Sequence, residues 1–144
     1  MRESTVSVTV AWKGGTVAEA RVRDFTFLMD SPPHEKEGGE SVGPSATETF
    51  LVAYGRCILV STLKAAKDLG VEIKDISVDV EMKVREVEPG VWRFEEIVPH
   101  LKIDTSSDRK MLAKVLQAMP RYCAVGNAIK KELIKGIELE TAKK

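Results

Sequence analysis

Hydrophobic and polar positions alternate near the N-terminus, which is the pattern of a half-buried β-strand. One face of residues 5–12 carries Val6, Val8, Val10 and Trp12. Residues 16–30 continue the alternation after a Lys-Gly-Gly turn, and they predict one or two further strands. Residues 31–44 contain prolines, glycines and charges without periodicity, so we predict a mobile loop there.

A single long helix is predicted after this loop. Ser45 can cap its first turn, and Glu48 follows at the spacing of a capping box. Between Phe50 and Leu63 the helix is apolar on nearly every side. This predicts burial all round, either inside the fold or under a partner. Gly70 is a good end for the helix, because glycine readily adopts the left-handed conformation found there.

The clearest alternation in the sequence covers residues 71–87. The apolar phase shifts between Ile73 and Ile76, which predicts a β-bulge or a strand that starts at Lys74. A Glu-Pro-Gly turn then leads to a returning strand over residues 91–104. These two strands should form a long hairpin.

Two helices and a short strand are predicted to follow the hairpin. Residues 105–119 have a Ser/Asp start and an amphipathic pattern, which Pro120 interrupts. Residues 122–136 predict another helix, and residues 137–142 predict a last strand. Strands mixed with segregated helices indicate an α+β fold with a largely antiparallel sheet. We find neither a repeat nor a second domain, so we expect one domain over residues 1–144.

Charge and hydropathy argue against several classes of protein. The 144 residues include 22 basic and 22 acidic side chains, so the formal net charge is zero. This argues against nucleic acid or an anionic membrane as the main partner, because both require a basic surface. No apolar run reaches the roughly 18 residues of a spanning helix, and the N-terminus lacks a secretory apolar region. We therefore expect a cytoplasmic protein, in which thiols stay reduced.

The two cysteines are the candidates for chemistry, although a free cysteine often packs as a small apolar residue. Cys57 lies about three turns into the apolar helix, where burial should raise its pKa unless a cation or donor is near. Helical spacing places on its face Phe50, Ala53, Tyr54, Val60 and Ser61. Cys123 opens a later helix, whose free N–H groups can lower a thiol pKa. Local physics therefore predicts that Cys123 ionises more easily than Cys57. No Cys or His pair has metal-ligand spacing, so no metal is expected.

Two motifs give the chain a resemblance to a known family. Residues 43–57 read GPSATETFLVAYGRC, and residues 123–129 read CAVGNAI. Both segments are similar to the cysteine motifs of the OsmC/Ohr family of thiol peroxidases. The two cysteines, at positions 57 and 123, are also separated as in that family. The resemblance extends over nearly the whole chain.

The resemblance implies an α+β fold with mostly antiparallel sheets, in which two chains interlock as a homodimer around the buried helix of each. It implies that Cys57 is the peroxidatic thiolate, which attacks a peroxide, preferably an organic hydroperoxide. The resulting sulfenic acid would condense with Cys123 to a disulfide. An external dithiol, of the lipoyl type in this family, would reduce that disulfide. No bound cofactor is implied.

Glu48 has two interpretations. It can complete the capping box with Ser45. It lies nine residues before Cys57, roughly 13 Å along the helix, so the two side chains cannot touch within one helix. In the family, the matching glutamate orients a catalytic arginine at the dimer interface. The resemblance therefore implies that Glu48 serves the thiol of the opposite chain.

The sequence departs from the family in two places. The peroxidases place an arginine near residues 24–32, but this segment has neither Arg nor Lys. The chain therefore resembles the branch that lacks this arginine, and another group would have to ionise Cys57. Ala124 also replaces the proline that follows the second cysteine. Other cations nearby in sequence are Arg21, Arg23, His34 and Arg56.

Three functions remain in competition at this point. The first is a cysteine-based peroxidase. The second is a protein of the same fold whose apolar pocket binds a small hydrophobic ligand without chemistry. The third is a stress-related structural dimer with inert thiols.

Overall fold

The computed structural model of the protein describes residues 1–33 and 38–142. His34, one of the candidate cations, therefore lies outside the described residues. The chain separates into two compact units, Met1–Phe50 and Leu51–Lys144. The strands are β1 (Thr9–Gly14), β2 (Val17–Val22), β3 (Phe25–Met29), β4 (Ile73–Glu88), β5 (Val91–Thr105) and β6 (Glu138–Ala142). The helices are α1 (Ala46–Asp68), α2 (Arg109–Ala118) and α3 (Ala124–Ala128), with short 3₁₀ turns at Met119–Tyr122 and Lys131–Leu133.

The first unit contains an antiparallel sheet in the order β1-β2-β3. Alternation predicted these strands, but the ladder begins later than the alternation does, at Thr9 opposite Arg21. Val6 and Val8 precede the first residue of this ladder and are exposed.

Asp30, just after β3, holds part of the segment that leads into α1. Its buried carboxylate accepts hydrogen bonds from the Thr16 hydroxyl and from three backbone N–H groups. Those N–H groups belong to Ser31, Glu40 and Val42, at 2.8, 3.0 and 3.4 Å. The hydrogen bond from Thr16 and those from the backbone hold the pKa of Asp30 below its ordinary value, against the effect of burial. The segment predicted to be mobile is thus anchored at Glu40 and Val42.

Asp30→Asn should lower the Tm, because the amide turns a donor towards backbone N–H groups that need an acceptor. The pKa of Asp30 is lower in the folded chain, so its stabilisation is complete above the ordinary carboxyl pKa of about 4 and is lost as the pH falls through the folded value. Thermal unfolding should therefore show a Tm difference at neutral pH that shrinks in acid. Asp24→Asn, in the exposed β2–β3 turn, is the control, and an equal loss in both variants would contradict this role.

Helix α1 begins and ends as the sequence predicts. The Ser45 N–H donates to Glu48 Oε1 at 2.9 Å, and the Glu48 N–H donates to Ser45 Oγ at 3.1 Å, which completes the capping box. At the other end Gly70 has a φ of 69°. The Val71 N–H donates to the Ala66 carbonyl at 2.8 Å, so the helix ends in a Schellman motif.

One face of α1 is buried, and the other is exposed. The buried residues are Tyr54, Ile58, Ser61, Thr62, Ala65 and Ala66. Val52, Val60 and Leu63 are exposed, so the prediction of a helix buried all round inside the fold is wrong for the single chain. Burial under a partner stays a prediction. By length and composition alone α1 could also cross a membrane, contrary to the sequence expectation, although the core helix of a globular fold meets the same criterion.

The second unit contains a mixed sheet in the order β4-β5-β6. Strands β4 and β5 form the predicted hairpin, and their register shifts between Ile73 and Asp75, where a bulge was expected. The hairpin turn uses Gly90 at a φ of 78°, which glycine adopts without steric cost. Strand β6 runs parallel to β5, starting from the pair His100 and Glu138.

The core of this unit lies where β5 and α2 contribute fully buried side chains. These are Ile97, Leu101 and Ile103 from β5, with Leu112 and Val115 from α2. Asp108 caps α2 by accepting from the Met111 N–H at 2.9 Å. Helix α1 approaches β4 so closely at Gly55 that an added Cβ would lie 3.3 Å from Val80. A small residue at this position lets the helix carrying Cys57 lie close to the sheet.

The helix predicted over residues 122–136 is much shorter than expected. Helix α3 ends at Ala128, and Ile129 is extended with a ψ of 140°. Beyond it the chain joins the edge of β5, where Ile134 bridges Ile97 and the Lys135 N–H donates to the Ile97 carbonyl at 2.9 Å. An unpaired strand edge offers hydrogen-bond partners to the backbone, and helical periodicity in the sequence does not reveal them. Here pairing with the edge of β5 outweighs the helical preference of the residues that follow Ala128.

Candidate active site

Helix α1 positions Cys57 in the second unit. Tyr54 and Ser61 lie one turn before and one turn after it, as helical spacing predicted, and both are buried. Cys57 itself is half-buried, and its thiol is free. The position is therefore apolar and partly dry, with a hydroxyl group on the same face of the helix.

Cys123 is brought to the same place by a change of chain direction. Pro120 lies in the 3₁₀ turn that follows α2, and the Cys123 N–H donates to its carbonyl at 3.2 Å. The Tyr122 hydroxyl donates to Asp68 at the end of α1, which ties this turn to the helix that carries Cys57. Cys123 is 3% exposed and its thiol is free. A hydrogen bond joins the two cysteine side chains, although 65 residues lie between them in the sequence.

Four donors surround the Cys57 sulfur. In decreasing effect on its pKa they are the Val125 N–H, the Cys123 thiol, the Ser61 hydroxyl and the Gly126 N–H. Val125 and Gly126 lie in the first turn of α3, where N–H groups have no partner within the helix. The N-terminus of α3 is thus directed at the Cys57 sulfur, which belongs to α1.

The two thiols have opposite pKa shifts. Burial raises the pKa of Cys57, but the four donors outweigh burial and hold that pKa below the ordinary value. Burial also raises the pKa of Cys123, and the hydrogen bond with Cys57 raises it further. The sequence expectation that Cys123 ionises more easily is therefore wrong. The physical reason is that the Val125 N–H serves the Cys57 sulfur, whereas at Cys123 burial and the hydrogen bond with Cys57 outweigh the Gly126 N–H and the Ser61 hydroxyl.

The pKa of Tyr54, which lies beside both cysteines, is also shifted. Burial raises the pKa of its hydroxyl to about 12, and the neighbouring Cys123 and Cys57 contribute to the rise. The phenol therefore stays protonated through the neutral range. It forms part of an apolar wall beside both sulfurs.

A pocket of about 270 Å³ opens beside this pair, on the side of Cys123. Tyr54, Cys123 and Gly126 are among the residues that line it. Its walls are mainly apolar, from Met119, Ile129, Ile134 and Ile137, with Asn127 and Lys131 as the polar groups. Cys57 is not among the described residues that line it. The described lining of the pocket therefore includes one cysteine of the pair, Cys123.

Comparison with known proteins supports the resemblance that the motifs indicated. The profile of OsmC-like proteins matches residues 37–136 of this chain. The chain belongs to the OsmC-like family. No curated protein matches the sequence. The motif with Cys57 and the segment with Cys123 both lie within the matched residues.

Solved structures show that this OsmC-like chain has the fold of the family. An OsmC-like protein from Mycoplasma pneumoniae is 15% identical with a TM-score of 0.80, and the match covers 98% of each chain. The organic hydroperoxide resistance protein OsmC of Legionella pneumophila is 16% identical with a TM-score of 0.74, over 99% of this chain and 100% of that one. OhrB of Bacillus subtilis, an organic hydroperoxide resistance protein, is 18% identical with a TM-score of 0.69, over 96% and 98%.

Three other residues singled out from the sequence, Glu48, Arg21 and Arg23, have identifiable partners. Glu48 engages Ser45 in the capping box. In the first unit Arg21 pairs with Glu19 at 2.8 Å, and Arg23 lies over the Phe25 ring at 5.0 Å. Arg56 is exposed on α1. The groups that lower the pKa of Cys57 in this OsmC-like chain are neutral donors, and none of these arginines is among them.

Sequence reasoning missed both backbone donors, including the strongest of the four, the Val125 N–H. Val125 and Gly126 act through backbone N–H groups, which leave no side-chain signature. Gly126 nevertheless carries a signal, because a Cβ there would lie 2.9 Å from the Cys123 Sγ and 3.1 Å from Tyr54 Cε1. Only a glycine lets the backbone come so close to the sulfurs. A glycine inside a predicted helix, three residues after a cysteine, was the available hint.

Gly126→Ala should raise the pKa of Cys57 and cost about 1–3 kcal/mol of stability, because the added methyl pushes the start of α3 away from the sulfurs. The pKa is measured from the pH dependence of alkylation by iodoacetamide in a Cys123→Ser background. In that background alone we expect a value below the free-thiol value of about 8.5.

Gly136→Ala is the matched control, because a Cβ at Gly136 meets no described atom within 4 Å. It should leave the alkylation profile unchanged. If Gly126→Ala and Gly136→Ala gave the same profile, the backbone donors would not be what ionises Cys57.

Proposed function

We propose that this protein is a cysteine-based peroxidase that reduces organic hydroperoxides, with Cys57 as the attacking sulfur and Cys123 as the resolving one. The observation that carries the proposal is the pairing of two contacting thiols whose pKa values are shifted in opposite directions. A peroxide needs a thiolate to attack it, and the resolving thiol must keep its proton until that attack is over. The asymmetry of the pair fits this division of roles.

The first step joins Cys57 to one peroxide oxygen. The thiolate attacks the terminal oxygen of the hydroperoxide, the O–O bond breaks, and the alkoxide leaves and takes up a proton to become an alcohol. Cys57 becomes a sulfenic acid. The donors from Val125 and Gly126 hold the thiolate in place before the attack. The apolar surroundings favour a peroxide with an organic group over a strongly hydrated one.

The second step forms the disulfide. Cys123 attacks the Cys57 sulfur, the S–O bond breaks, and hydroxide leaves as water after protonation. Because the two side chains already share a hydrogen bond, this step requires little movement. An external dithiol then returns both cysteines to thiols. A reducing cytoplasm would keep the resting pair in the dithiol form.

A homodimer is part of this proposal. Val52, Val60 and Leu63 leave an exposed apolar strip on α1, and the β4–β5 hairpin exposes Trp92 and Phe94 near its turn. Exposed apolar side chains of this kind favour association. In such a dimer Glu48 would assist the thiol of the opposite chain, as the family resemblance implies.

One observation favours a second candidate function. The pocket beside Cys123 is mainly apolar, and its volume of about 270 Å³ is near the lower limit of small-molecule sites. The protein would then bind a small hydrophobic ligand without chemistry. The thiol titration below separates the two functions.

One equivalent of cumene hydroperoxide should remove two free thiols per chain, because each chain oxidises one pair to a disulfide. Free thiols are counted with a chromogenic disulfide reagent before and after the addition. A dithiol should restore both. Cys57→Ser should abolish the loss, and Cys123→Ser should stop at a sulfenic acid that a cyclic dione traps on Cys57. A thiol count that does not change would reject the peroxidase and leave the ligand-binding function.

The assignment of Glu48 is tested with two tagged heterodimers. In the first, one subunit carries Glu48→Gln and the other carries Cys57→Ser, so the intact Cys57 faces an intact Glu48 on the opposite chain. In the second, both substitutions lie in one subunit, so the intact Cys57 faces the Gln. Action across the interface predicts an active first heterodimer and an inactive second one. The reverse result would place the action of Glu48 within its own chain.

Glu48→Gln is suitable because glutamine also completes a capping box, so α1 should keep its stability. Equal denaturant midpoints for the wild type and the Glu48→Gln homodimer would verify this control.

A further inference from the structure

A single buried hydroxyl contacts both cysteine sulfurs. Ser61 follows Cys57 by one turn of α1, so the two side chains share a face of the helix. Ser61 is 3% exposed. Its hydroxyl hydrogen-bonds with the Cys57 sulfur and also with the Cys123 sulfur. Among the described residues that hydrogen-bond these two sulfurs, Ser61 is the one side chain, apart from the cysteines, that reaches both.

The Ser61 hydroxyl can donate to one sulfur at a time, because it carries a single proton. Rotation about the Cβ–Oγ bond redirects that proton without any movement of the backbone. In the dithiol form Cys57 ionises first, because its pKa is the lower of the two. The hydroxyl then donates to the anionic Cys57 sulfur, since a hydrogen bond to an ionised group is the stronger one.

The ionised Cys57 also keeps Cys123 protonated. Its hydrogen bond with Cys123 and its negative charge both raise the pKa of the Cys123 thiol. Oxidation to a sulfenic acid removes the charge from the Cys57 sulfur. Burial still opposes ionisation of Cys123, but the Ser61 hydroxyl and the Gly126 N–H favour it. Once Cys57 is oxidised, the next negative charge forms on the Cys123 sulfur.

We propose that the Ser61 hydroxyl is a catalytic residue for disulfide formation, which turns from the Cys57 sulfur to the Cys123 sulfur after Cys57 is oxidised and stabilises the attacking Cys123 thiolate. This inference rests on the proposed function, because it concerns the disulfide that would follow peroxide reduction. It adds a third reacting-site residue, and it explains how one donor serves both steps in turn.

The step balances without a further oxidant. Cys123 loses its proton, and its sulfur bonds to the Cys57 sulfur. The S–O bond of the sulfenic acid breaks, and the departing hydroxide takes up one proton to become water. The Cys123 sulfur is oxidised as the Cys57 sulfur is reduced. Ser61 keeps its own proton throughout and supplies only a hydrogen bond.

Disulfide formation can be followed without peroxide, by using the small neutral disulfide dithiodipyridine. Cys57 attacks the reagent first, releases one coloured thiopyridone and keeps the other half as a mixed disulfide. Cys123 then attacks the Cys57 sulfur and releases the second thiopyridone. This second phase does not depend on reagent concentration, because both sulfurs belong to one chain. The departing thiopyridone takes its proton on the ring nitrogen, so the second phase reports the ionisation of Cys123.

Ser61→Ala should raise the pH midpoint of the second phase by about one pH unit, as expected for the loss of one hydrogen bond to a charged group. At neutral pH the second phase should slow about threefold, because about tenfold less thiolate is partly offset by the greater nucleophilicity of a more basic thiolate. At alkaline pH the variant should match or exceed the wild type. A role of Ser61 in shape alone would slow the second phase by the same factor at every pH.

Thr62→Val is the matched control, because Thr62 is the next residue of α1 and is fully buried. Its hydroxyl donates to the Ile58 carbonyl at 2.7 Å and not to a sulfur. Thr62→Val should leave the pH midpoint unchanged, and thermal unfolding should show that both variants are folded. An unchanged midpoint in Ser61→Ala, or an equal shift in Thr62→Val, would overturn the proposal.

These outcomes are separate from the test of the peroxidase. An unchanged midpoint in Ser61→Ala, together with the loss of two thiols to cumene hydroperoxide, would reject the role of Ser61 and keep the proposed function. A shifted midpoint in a protein that does not react with cumene hydroperoxide would reject the peroxidase and keep the role of Ser61 in pairing the two sulfurs.

Discussion

A sulfur anion removed from water is stable only where donors replace the water it has lost. In this protein that requirement falls on Cys57, which lies on an apolar helix, and the donors come from Ser61, Cys123 and the first turn of α3. Much of the local architecture follows from it. The chain turns sharply at Pro120, α3 starts beside the sulfur, and Gly126 has no side chain, because each feature lets backbone N–H groups approach closely.

In this OsmC-like chain, neutral donors rather than an arginine lower the pKa of Cys57. A guanidinium lowers a thiol pKa through its charge, whereas an N–H group does so only when it is close and correctly directed. A site that lowers a thiol pKa with N–H groups therefore depends on close packing more than a site that uses a guanidinium. Tyr54, whose ring lies against the position of Gly126, helps to maintain that packing. The asymmetry of the pair comes from the same geometry, because the donors favour Cys57 and leave Cys123 protonated.

The apolar surface of the single chain is the other main feature. Trp12, Phe25 and Phe27 are exposed in the first unit, and Val52, Val60 and Trp92 are exposed in the second. An isolated chain with this surface would tend to associate. The surface accords with the proposed dimer, in which the apolar residues that make α1 resemble a membrane helix would be covered by protein. The membrane-like composition of α1 then has a structural explanation.

The sequence alone determined those features that depend on local pattern. It predicted the strands and the hairpin bulge near Ile73, and it gave both ends of α1, because alternation, capping residues and Gly70 act within a few residues of where they stand. It also identified both cysteines, and helical spacing placed Tyr54 and Ser61 beside Cys57. Tertiary structure decided what depends on distant partners. The edge of β5 ended α3 early. The Val125 N–H was directed at Cys57, while burial and the hydrogen bond with Cys57 raised the pKa of Cys123, so the expected order of the pKa values was reversed. The sequence determines which groups can donate a hydrogen bond, but the fold determines which atoms accept it. For these two sulfurs, the acceptor of each hydrogen bond decides which sulfur has the lower pKa and carries the charge.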